Sequence, residues 1–285
     1  MAARPSIDLA AVRNRHPHHF GTISRERVSM AALAAAALVL LVCGMAQLGF
    51  FGGTFLAGLG RLADIAGLML PPDPGSWGHV RAFVMALIET VAIALLGTLI
   101  AAVLALPVAL LAARNVTTAR ILRFLSRRSL DTIRSVDTLV WALIWINVVG
   151  LGPFAGVLAI MTSDIGTFGK LFSEAMEAAD RKPVEGITSA GGGRILGVRF
   201  GILPEVFPVL ASQVLYYFES NTRSATIIGI VGAGGIGLHL AEAIRTLELQ
   251  QASFIILMIL VTVAAIDFVS SQLRFALIGQ RGRTA

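Results

Sequence analysis

The stretch from Glu185 to Pro204 reads E-G-I-T-S-A-G-G-G-R-I-L-G-V-R-F-G-I-L-P, and long apolar segments lie on both sides of it. Its start is polar, its middle is glycine-rich and its end is basic, which predicts an ordered loop between two membrane helices. Pro183 suits the first position of a short helix, where a missing N–H costs nothing. The three glycines from 191 to 193 permit a tight reversal. The stretch therefore predicts a helix–turn–helix on the membrane surface, with one face open to a soluble partner.

The composition of the whole chain places it in a membrane. Of its 285 residues, 56% are hydrophobic and only 14% are charged, and the mean hydropathy is +0.80. A helix needs ~20 apolar residues to cross a bilayer, so we predict an all-α integral membrane protein with about six spans. Polar tails at 1–29 and 280–285 flank a single domain at 30–279. The predicted spans are 30–51, 83–112, 130–149, 154–172, 204–231 and 252–278.

Positive charges are concentrated in alternate connections between these spans. Lys and Arg number five in the N-terminal tail, six in 113–134, five in 170–199 and three at the C-terminal end. Cytoplasmic loops carry such an excess, so we expect both termini and the 185–204 stretch to lie in the cytoplasm. The net charge of +6 then reports membrane topology, and nucleic-acid binding is not expected. The intervening connections hold only Arg61, Arg81 and Arg245.

Four positions in the 185–204 stretch match a known family. The permease subunits of ABC importers carry E-A-A, three residues, Gly, nine residues and I-x-L-P. This chain resembles them because Glu185, Gly191 and Leu203-Pro204 fall in register with that pattern. Two alanines and an isoleucine of the pattern are replaced here, by Gly186, Ile187 and Gly201.

Within this family the chain resembles the permease subunits of phosphonate importers, over roughly residues 82–279. The resemblance implies the type I ABC importer (MetI-like) permease fold, with cytoplasmic coupling helices at about 173–200. The segments that carry the likeness are V-G-L-G-P-F-A-G-V-L-A (149–159), G-K-L-F-S-E-A (169–175), P-V-E-G-I (183–187), F-E-S-N-T-R-S-A-T (218–226) and V-G-A-G-G-I-G (231–237).

The resemblance also implies partners and a mechanism. A homodimer of the chain is expected to form one path across the bacterial inner membrane. Two cytoplasmic ABC ATPase subunits are expected to bind ATP and Mg, and a periplasmic substrate-binding protein to deliver the solute. The path would open to alternate sides as the ATPases close and reset, and this chain would itself bind no cofactor. The residues expected to couple it to the ATPases are Glu174, Glu177, Glu185, Gly191, Leu203 and Pro204.

Polar residues within the fifth predicted span mark a candidate translocation pathway. Glu219 and Arg223 are four residues apart, on one helix face, and can form a pair. Ionisable groups inside a membrane normally face a protein interior or a water-filled path. The pair is either a structural lock or part of an anion path in which Arg223 supplies positive potential, and the sequence leaves both readings open. Hydrogen bonds along such a path would come from Asn221, Ser224 and Thr226.

A glycine-rich motif follows the fifth predicted span. Residues 232–237 match G-x-G-x-x-G. A dinucleotide site also requires a preceding strand and an acid about 20 residues further on, whereas this motif follows a membrane helix. We predict instead that the glycines break the helix and pack closely near the outer gate of the pathway. They are Gly232, Gly234, Gly235 and Gly237.

The sequence does not indicate an enzyme. It contains no Walker-type phosphate loop, no H-E-x-x-H and no nucleophile elbow, so we expect a non-catalytic subunit that uses ATP hydrolysed by a partner. His16, His18 and His19 have no neighbouring Cys, Asp or Glu to complete a site, so no metal is expected. The predicted cargo is phosphonate or a related oxyanion, phosphate or phosphite. Two alternatives stay open: an ABC importer permease for another small solute such as an amino acid, and a carrier driven by an ion gradient.

Overall fold

A computed structural model describes residues 25–50 and 53–279. Every regular element in these ranges is a helix, as the sequence predicts. The chain divides into two compact units, Met1–Gly67 and Leu68–Ala285. The first unit contains α1 (Arg25–Gln47) and nearly all of α2 (Gly53–Leu68). The sequence predicts only a connection over 52–82, but the structure has the helix α2 in this segment. Its leucines and alanines favour a helix despite four glycines.

The second unit contains the other helices. A π-helical segment, Gly197–Ile202, joins α8 directly to α9, so one continuous helical path runs from Arg194 to Ile230. The helices are α3 (Trp77–Ala112), α4 (Arg120–Arg134), α5 (Thr138–Val149), α6 (Pro153–Ala178), α7 (Lys182–Ser189), α8 (Arg194–Leu196), α9 (Leu203–Ile230), α10 (Ile236–Arg245) and α11 (Leu249–Gly279).

Four helical segments among the described residues are each long and apolar enough to cross a membrane. They correspond to the first, second, fifth and sixth predicted spans. A fifth span results if α4 and α5 are counted together, although they meet at 87°. This bent pair replaces the single span predicted over 130–149, because Asp137 accepts a hydrogen bond from the Leu139 amide (2.8 Å) and starts a new helix there. The four segments are Val28–Gln47, Trp77–Ala112, Arg194–Ile230 and Leu249–Ala276.

Helix α6 contains the fourth predicted span, 154–172, and continues past it to Ala178. Its 26 residues correspond to about 39 Å, which exceeds the ~30 Å hydrocarbon core of a bilayer. Because α3, α4, α5 and α9 all pack against it, Asp164 is buried in protein, and Lys170 and Glu177 are half-buried. The region 173–200, where the coupling helices are predicted, therefore starts within α6, and the separate short helix α7 begins at Lys182. The charged residues of α6 are Asp164, Lys170, Glu174 and Glu177.

Small residues allow α3 and α6 to lie close together. Ala101 and Ala105 of α3 are completely buried in one core cluster with Phe168 of α6. A Cβ atom added at Gly97 would lie 2.8 Å from Ile160, closer than packed carbon atoms approach. Large side chains of α6 thus fill the space that the small residues of α3 leave, the arrangement typical of tightly packed membrane helices.

Glycines of α6 create a similar contact with α4. A Cβ at Gly166 would lie 2.8 Å from the backbone nitrogen of Arg134 and 3.0 Å from the carbonyl oxygen of Leu130. Leu130 itself is buried beside Gly169. The glycines therefore let the backbone of α4 rest directly on α6.

We expect Gly166→Ala to destabilise the protein by about 1–3 kcal/mol, because the added methyl group meets backbone atoms of α4 that cannot rotate away. Thermal unfolding of the purified protein in detergent measures the loss. Gly58→Ala in α2 is the matched control, since no atom lies within 4 Å of its added Cβ. Equal stability of the two variants would contradict the close contact between α4 and α6.

Candidate functional site

A buried hydrogen-bonded cluster, which we call the polar junction, links three helices of the second unit. Asn221 of α9 donates from its side-chain nitrogen to the hydroxyl of Thr98 in α3 at 2.8 Å and to a carboxylate oxygen of Asp164 in α6. All three side chains are buried. Asn221 is therefore a structural contact between helices, although the sequence predicts it as a hydrogen-bonding group along the pathway.

Sequence reasoning missed both partners of Asn221. The signal for Asp164 was present, because an acid inside an apolar span normally has a functional or structural partner. Thr98 gave no signal, since a threonine in a membrane helix usually bonds its own backbone. Thr98 does so here as well, donating to the Ala94 carbonyl at 2.7 Å while accepting from Asn221.

Glu219 has two arginine partners, one on its own helix. Arg223 of α9 lies 3.4 Å from one carboxylate oxygen, and Arg274 of α11 lies 3.1 Å from the other. The Glu219 side chain is 10% exposed and that of Arg274 is 21% exposed, whereas half of Arg223 is exposed. Arg274 also approaches Asp267, at 3.9 Å. The carboxylate is thus neutralised mainly from α11, and Arg223 keeps free donors on an exposed face.

The two readings of the Glu219–Arg223 pair are therefore compatible. The structural ion pair joins α9 to α11 and is formed by Glu219 and Arg274. The sequence did not connect these two residues, because 55 positions separate them. Arg223 presents a guanidinium with five N–H donors, of which the contact at 3.4 Å engages few. Such a group can bind an oxyanion without leaving Glu219 unpaired.

Ser224 and Thr226 form hydrogen bonds within α9. Each hydroxyl bonds a carbonyl of its own helix, Ser224 that of Ser220 at 3.5 Å and Thr226 that of Thr222 at 3.3 Å. Thr226 is buried and Ser224 half-buried. The structure places Thr226 against the start of α10, so its role in a pathway stays a prediction.

The glycine loop, residues 231–235, turns the chain from α9 into α10. Gly232, Gly234 and Gly235 all have positive φ, at 108°, 84° and 74°, a conformation that strains residues with a Cβ atom. The Gly232 carbonyl also accepts a hydrogen bond from the Gly152 amide at 3.0 Å. The element that precedes the loop is a helix and not the strand that a dinucleotide-binding site requires, so the loop is not such a site.

Two side chains of α3 cap the helix that follows the glycine loop. Glu89 accepts from the Gly235 amide at 3.0 Å, and the Thr90 hydroxyl accepts from the Ile236 amide at 2.8 Å. Amides at a helix start have no partner within the helix, and a carboxylate there is favoured by the helix dipole. Gly237 completes the contact by packing directly against the Thr226 carbonyl. The loop is thus fixed to α3 and to the start of α6.

The coupling segment, residues 182–202, lies at the other end of α9. Glu185 is exposed on α7, and Gly191 has φ +84° just after that helix, with its amide donating to the Thr188 carbonyl at 2.9 Å. Gly201 lies under Val184, where a Cβ would be 2.9 Å from the valine side chain. The glycine that replaces the usual isoleucine therefore allows the π-helical segment to pack against α7.

The other predicted coupling residues have different surroundings. Leu203 is half-buried and Pro204 is exposed in the first turn of α9. Glu177 pairs with Arg127 of α4 and accepts from the Arg114 amide at 2.6 Å, so it is engaged within the chain. Glu174 is exposed on α6. Among the described residues, no group of three or more His, Cys, Asp and Glu could hold a metal. The tail histidines lie outside those residues.

Comparison with known proteins decides the family. Residues 105–278 match the family model described as binding-protein-dependent transport system inner membrane component. The chain belongs to this family. It is therefore a transport subunit of the inner membrane with several spans, and family members work with a substrate-binding protein and an ATPase. A carrier driven by an ion gradient is no longer an alternative for this permease.

Named relatives cover most of the permease. The putative phosphite transport system permease protein HtxC of Stutzerimonas stutzeri is 36% identical over 280 residues, which are 98% of this chain and 92% of HtxC. The phosphite transport system permease protein PtxC of the same organism is 38% identical over 237 residues, which are 83% of this chain and 85% of PtxC.

A solved structure shares the fold. Inward-facing conformations of the MetNI methionine ABC transporter superpose on the permease with a TM-score of 0.62 at 18% identity, covering 71% of this chain and 99% of that one. This likeness supports the predicted MetI-like fold alone, since its sequence identity is low.

We expect Asn221→Leu to lower the stability of the permease by about 1–3 kcal/mol, because it leaves the buried carboxyl of Asp164 without its hydrogen-bond donor. The double variant Asn221→Leu/Asp164→Leu should recover much of that loss, since both polar groups are then removed together. Thermal unfolding in detergent compares the two. A double variant at least as unstable as the sum of the single variants would contradict a direct bond between these side chains.

Proposed function

We propose that this permease forms the membrane path of an ATP-driven importer for phosphonate or a related phosphorus oxyanion, phosphite and phosphate included. Three observations support this substrate class. HtxC and PtxC are named for phosphite transport, and the permease resembles phosphonate permeases in the segments quoted above. An exposed arginine inside a membrane helix suits the passage of an anion.

Arg223 is the observation on which the proposal depends. Its guanidinium is half exposed, while Arg274 lies closer to Glu219 and is better buried. An entering oxyanion can therefore bind Arg223 through charge-assisted hydrogen bonds while Glu219 keeps a cation. The contact between Arg223 and Glu219 would re-form once the anion leaves, which gives the arginine a resting partner and prevents permanent capture of the substrate.

Energy enters from a separate subunit in this proposal. ATP and Mg bind to the partner ATPase, and the permease binds no cofactor and catalyses no reaction. The coupling segment contacts that ATPase through the exposed face of α7, where Glu185 lies. Exposed apolar side chains on the adjacent turn, Ile195 and Phe200, suit a protein partner better than water. ATP-driven closure would move this segment and tilt α9, opening the path to alternate sides.

The proposed assembly is a homodimer with both termini in the cytoplasm. One copy of the coupling segment per chain matches two chains to two ATPases. The distribution of Lys and Arg supports the orientation. A periplasmic substrate-binding protein would then meet the side of the glycine loop. The mass of the intact complex tests the homodimer, because a partner permease of different sequence would give a different total mass.

Substrate-stimulated ATP hydrolysis tests the substrate class. We would reconstitute the permease with its ATPase and binding protein and offer phosphonate, phosphite, phosphate or methionine separately. We expect a phosphorus oxyanion to stimulate hydrolysis and transport. Arg223→Gln should reduce transport at least tenfold. The loss of one charge-assisted hydrogen bond is expected to cost more than about 1.4 kcal/mol, the free energy that corresponds to a factor of ten. Arg81→Gln, an exposed arginine of α3, is the matched control and should transport normally. Stimulation by methionine alone would overturn the substrate class.

Substitution of Gly191 tests the coupling segment. We expect Gly191→Val to abolish coupled transport while the protein still inserts and assembles, because valine is strained at φ +84° and would alter the turn after α7. Gly193→Ala is the control, since its φ is −74° and its added Cβ meets no atom within 4 Å. Intact coupled transport in Gly191→Val would show that the turn has no part in coupling.

A further inference from the structure

Helix α4 has a strongly amphipathic sequence that the transport mechanism does not use. It reads R-I-L-R-F-L-S-R-R-S-L-D-T-I-R from Arg120 to Arg134, with five arginines and one acid. At 100° per residue, Ile121, Leu122 and Leu125 share one side of the helix, and most of the arginines lie on the opposite side. Helices of this type lie at membrane surfaces.

The apolar side of α4 is uncovered in the described part of the chain. Ile121 is 78% exposed, Leu125 56% and Leu122 42%. The contact with α6 uses the other side of the helix, where Leu130 is buried and Asp131 pairs with Lys170 at 2.9 Å. Packing on α6 therefore holds α4 in place, while the apolar side of α4 stays uncovered by the described residues.

The direction of α4 fits a position along a membrane surface. It meets α5 at 87°, and the sequence of α5, T-L-V-W-A-L-I-W-I-N-V-V, is apolar apart from Thr138 and Asn147. A helix perpendicular to one that runs along the membrane normal lies in the membrane plane. In that plane an apolar side meets acyl chains and the arginines reach headgroups.

Several arginines of α4 are available for an anion. Arg127 is occupied by Glu177. Arg120 and Arg123 form no ion pair with any residue in the described ranges, and Arg120 is exposed while Arg123 is half-buried. Arg128 is 67% exposed, lies 3.8 Å from Asp131 and stacks over the Phe124 ring at 5.5 Å. Arg128 also lines a cavity of about 170 Å³, together with Arg127, Lys170, Asp131 and Glu174.

We propose that α4 is an interfacial helix that binds anionic phospholipid. Its apolar side enters the acyl chains, and Arg120, Arg123 and Arg128 pair with headgroup phosphates. Clusters of basic residues beside a membrane helix attract anionic lipid. The proposal rests on membership of the membrane family and on α4 itself, so it does not depend on the transported substrate.

Lipid binding at α4 would act on the end of α6. The Arg127–Glu177 pair ties α4 to the last turn of α6, which ends at Ala178, four residues before α7 begins at Lys182. Anionic lipid would hold α4 in one position. Through the Arg127–Glu177 pair it would also hold the last turn of α6, which precedes the coupling segment. ATP hydrolysis by the assembled complex should therefore depend on the lipid that surrounds it.

Spin-labelled lipids test the binding directly. Full-length permease is placed in phosphatidylcholine vesicles with spin-labelled phosphatidylglycerol or phosphatidylcholine, and the motionally restricted fraction is measured. We expect the permease to prefer the anionic lipid by on the order of fivefold. The variant Arg120→Gln/Arg123→Gln/Arg128→Gln should lose most of this preference. The variant Arg61→Gln/Arg81→Gln/Arg245→Gln removes three exposed arginines elsewhere and should keep it.

Three results of this assay would overturn the proposal. The first is an equal preference in all three proteins. The second is the absence of preference in the unmodified permease. The third is loss of the preference on adding millimolar inorganic phosphate at constant ionic strength, which would mean that the arginines bind a free anion and not a lipid.

A second measurement reports what covers the apolar side. Cys43 is the only cysteine and is exposed, so Cys43→Ser gives a background in which Ile121→Cys or Leu125→Cys carries a single spin label. We expect high accessibility to oxygen and low accessibility to a water-soluble nickel complex, since oxygen concentrates among acyl chains. Low accessibility to both reagents would place a second copy of the chain there, and high accessibility to nickel would place water there. Either result would contradict a lipid-bound α4.

Discussion

A bilayer offers no water to a buried polar group, so each such group in a membrane helix needs a partner within the protein. Asn221 meets this requirement for three helices at once, because its side chain bonds Thr98 of α3 and Asp164 of α6. Bonds of this length require the helices to lie close together. The alanines of α3 and the glycines of α6 permit that approach. The polar junction therefore depends on the small-residue packing of these helices.

The same requirement explains how the chain leaves α9. The glycine loop exposes backbone amides at the start of α10, and lipid cannot satisfy them. Glu89 and Thr90 of α3 accept from two of these amides, so an acid that looks isolated in the sequence has a defined partner. Positive φ at three glycines brings the amides into position. The loop is therefore an ordered structure whose shape depends on a neighbouring helix.

Local signals in the sequence predict part of this structure well. Pro183, Gly191 and the surrounding pattern locate the coupling segment, and apolar length locates α3, α9 and α11. Contacts between distant positions are not visible in the same way. Arg274 follows Glu219 by 55 residues, and only the packing of α11 on α9 brings them together. The sequence also did not predict the bend before α5. Asp137 resembles an ordinary polar residue near the end of a span, and only its hydrogen bond with the Leu139 amide shows that a new helix starts there.

The continuous helical path from Arg194 to Ile230 has a mechanical consequence. Its 37 residues form a rod of about 55 Å, with the coupling segment at one end and the glycine loop at the other. Asn221 ties the rod to two neighbours at a point about 40 Å from the first end and about 14 Å from the second. A rod held at such a pivot is a lever with unequal arms. Displacement at the coupling end reaches the glycine loop reduced about threefold, while the force delivered there is increased by the same factor.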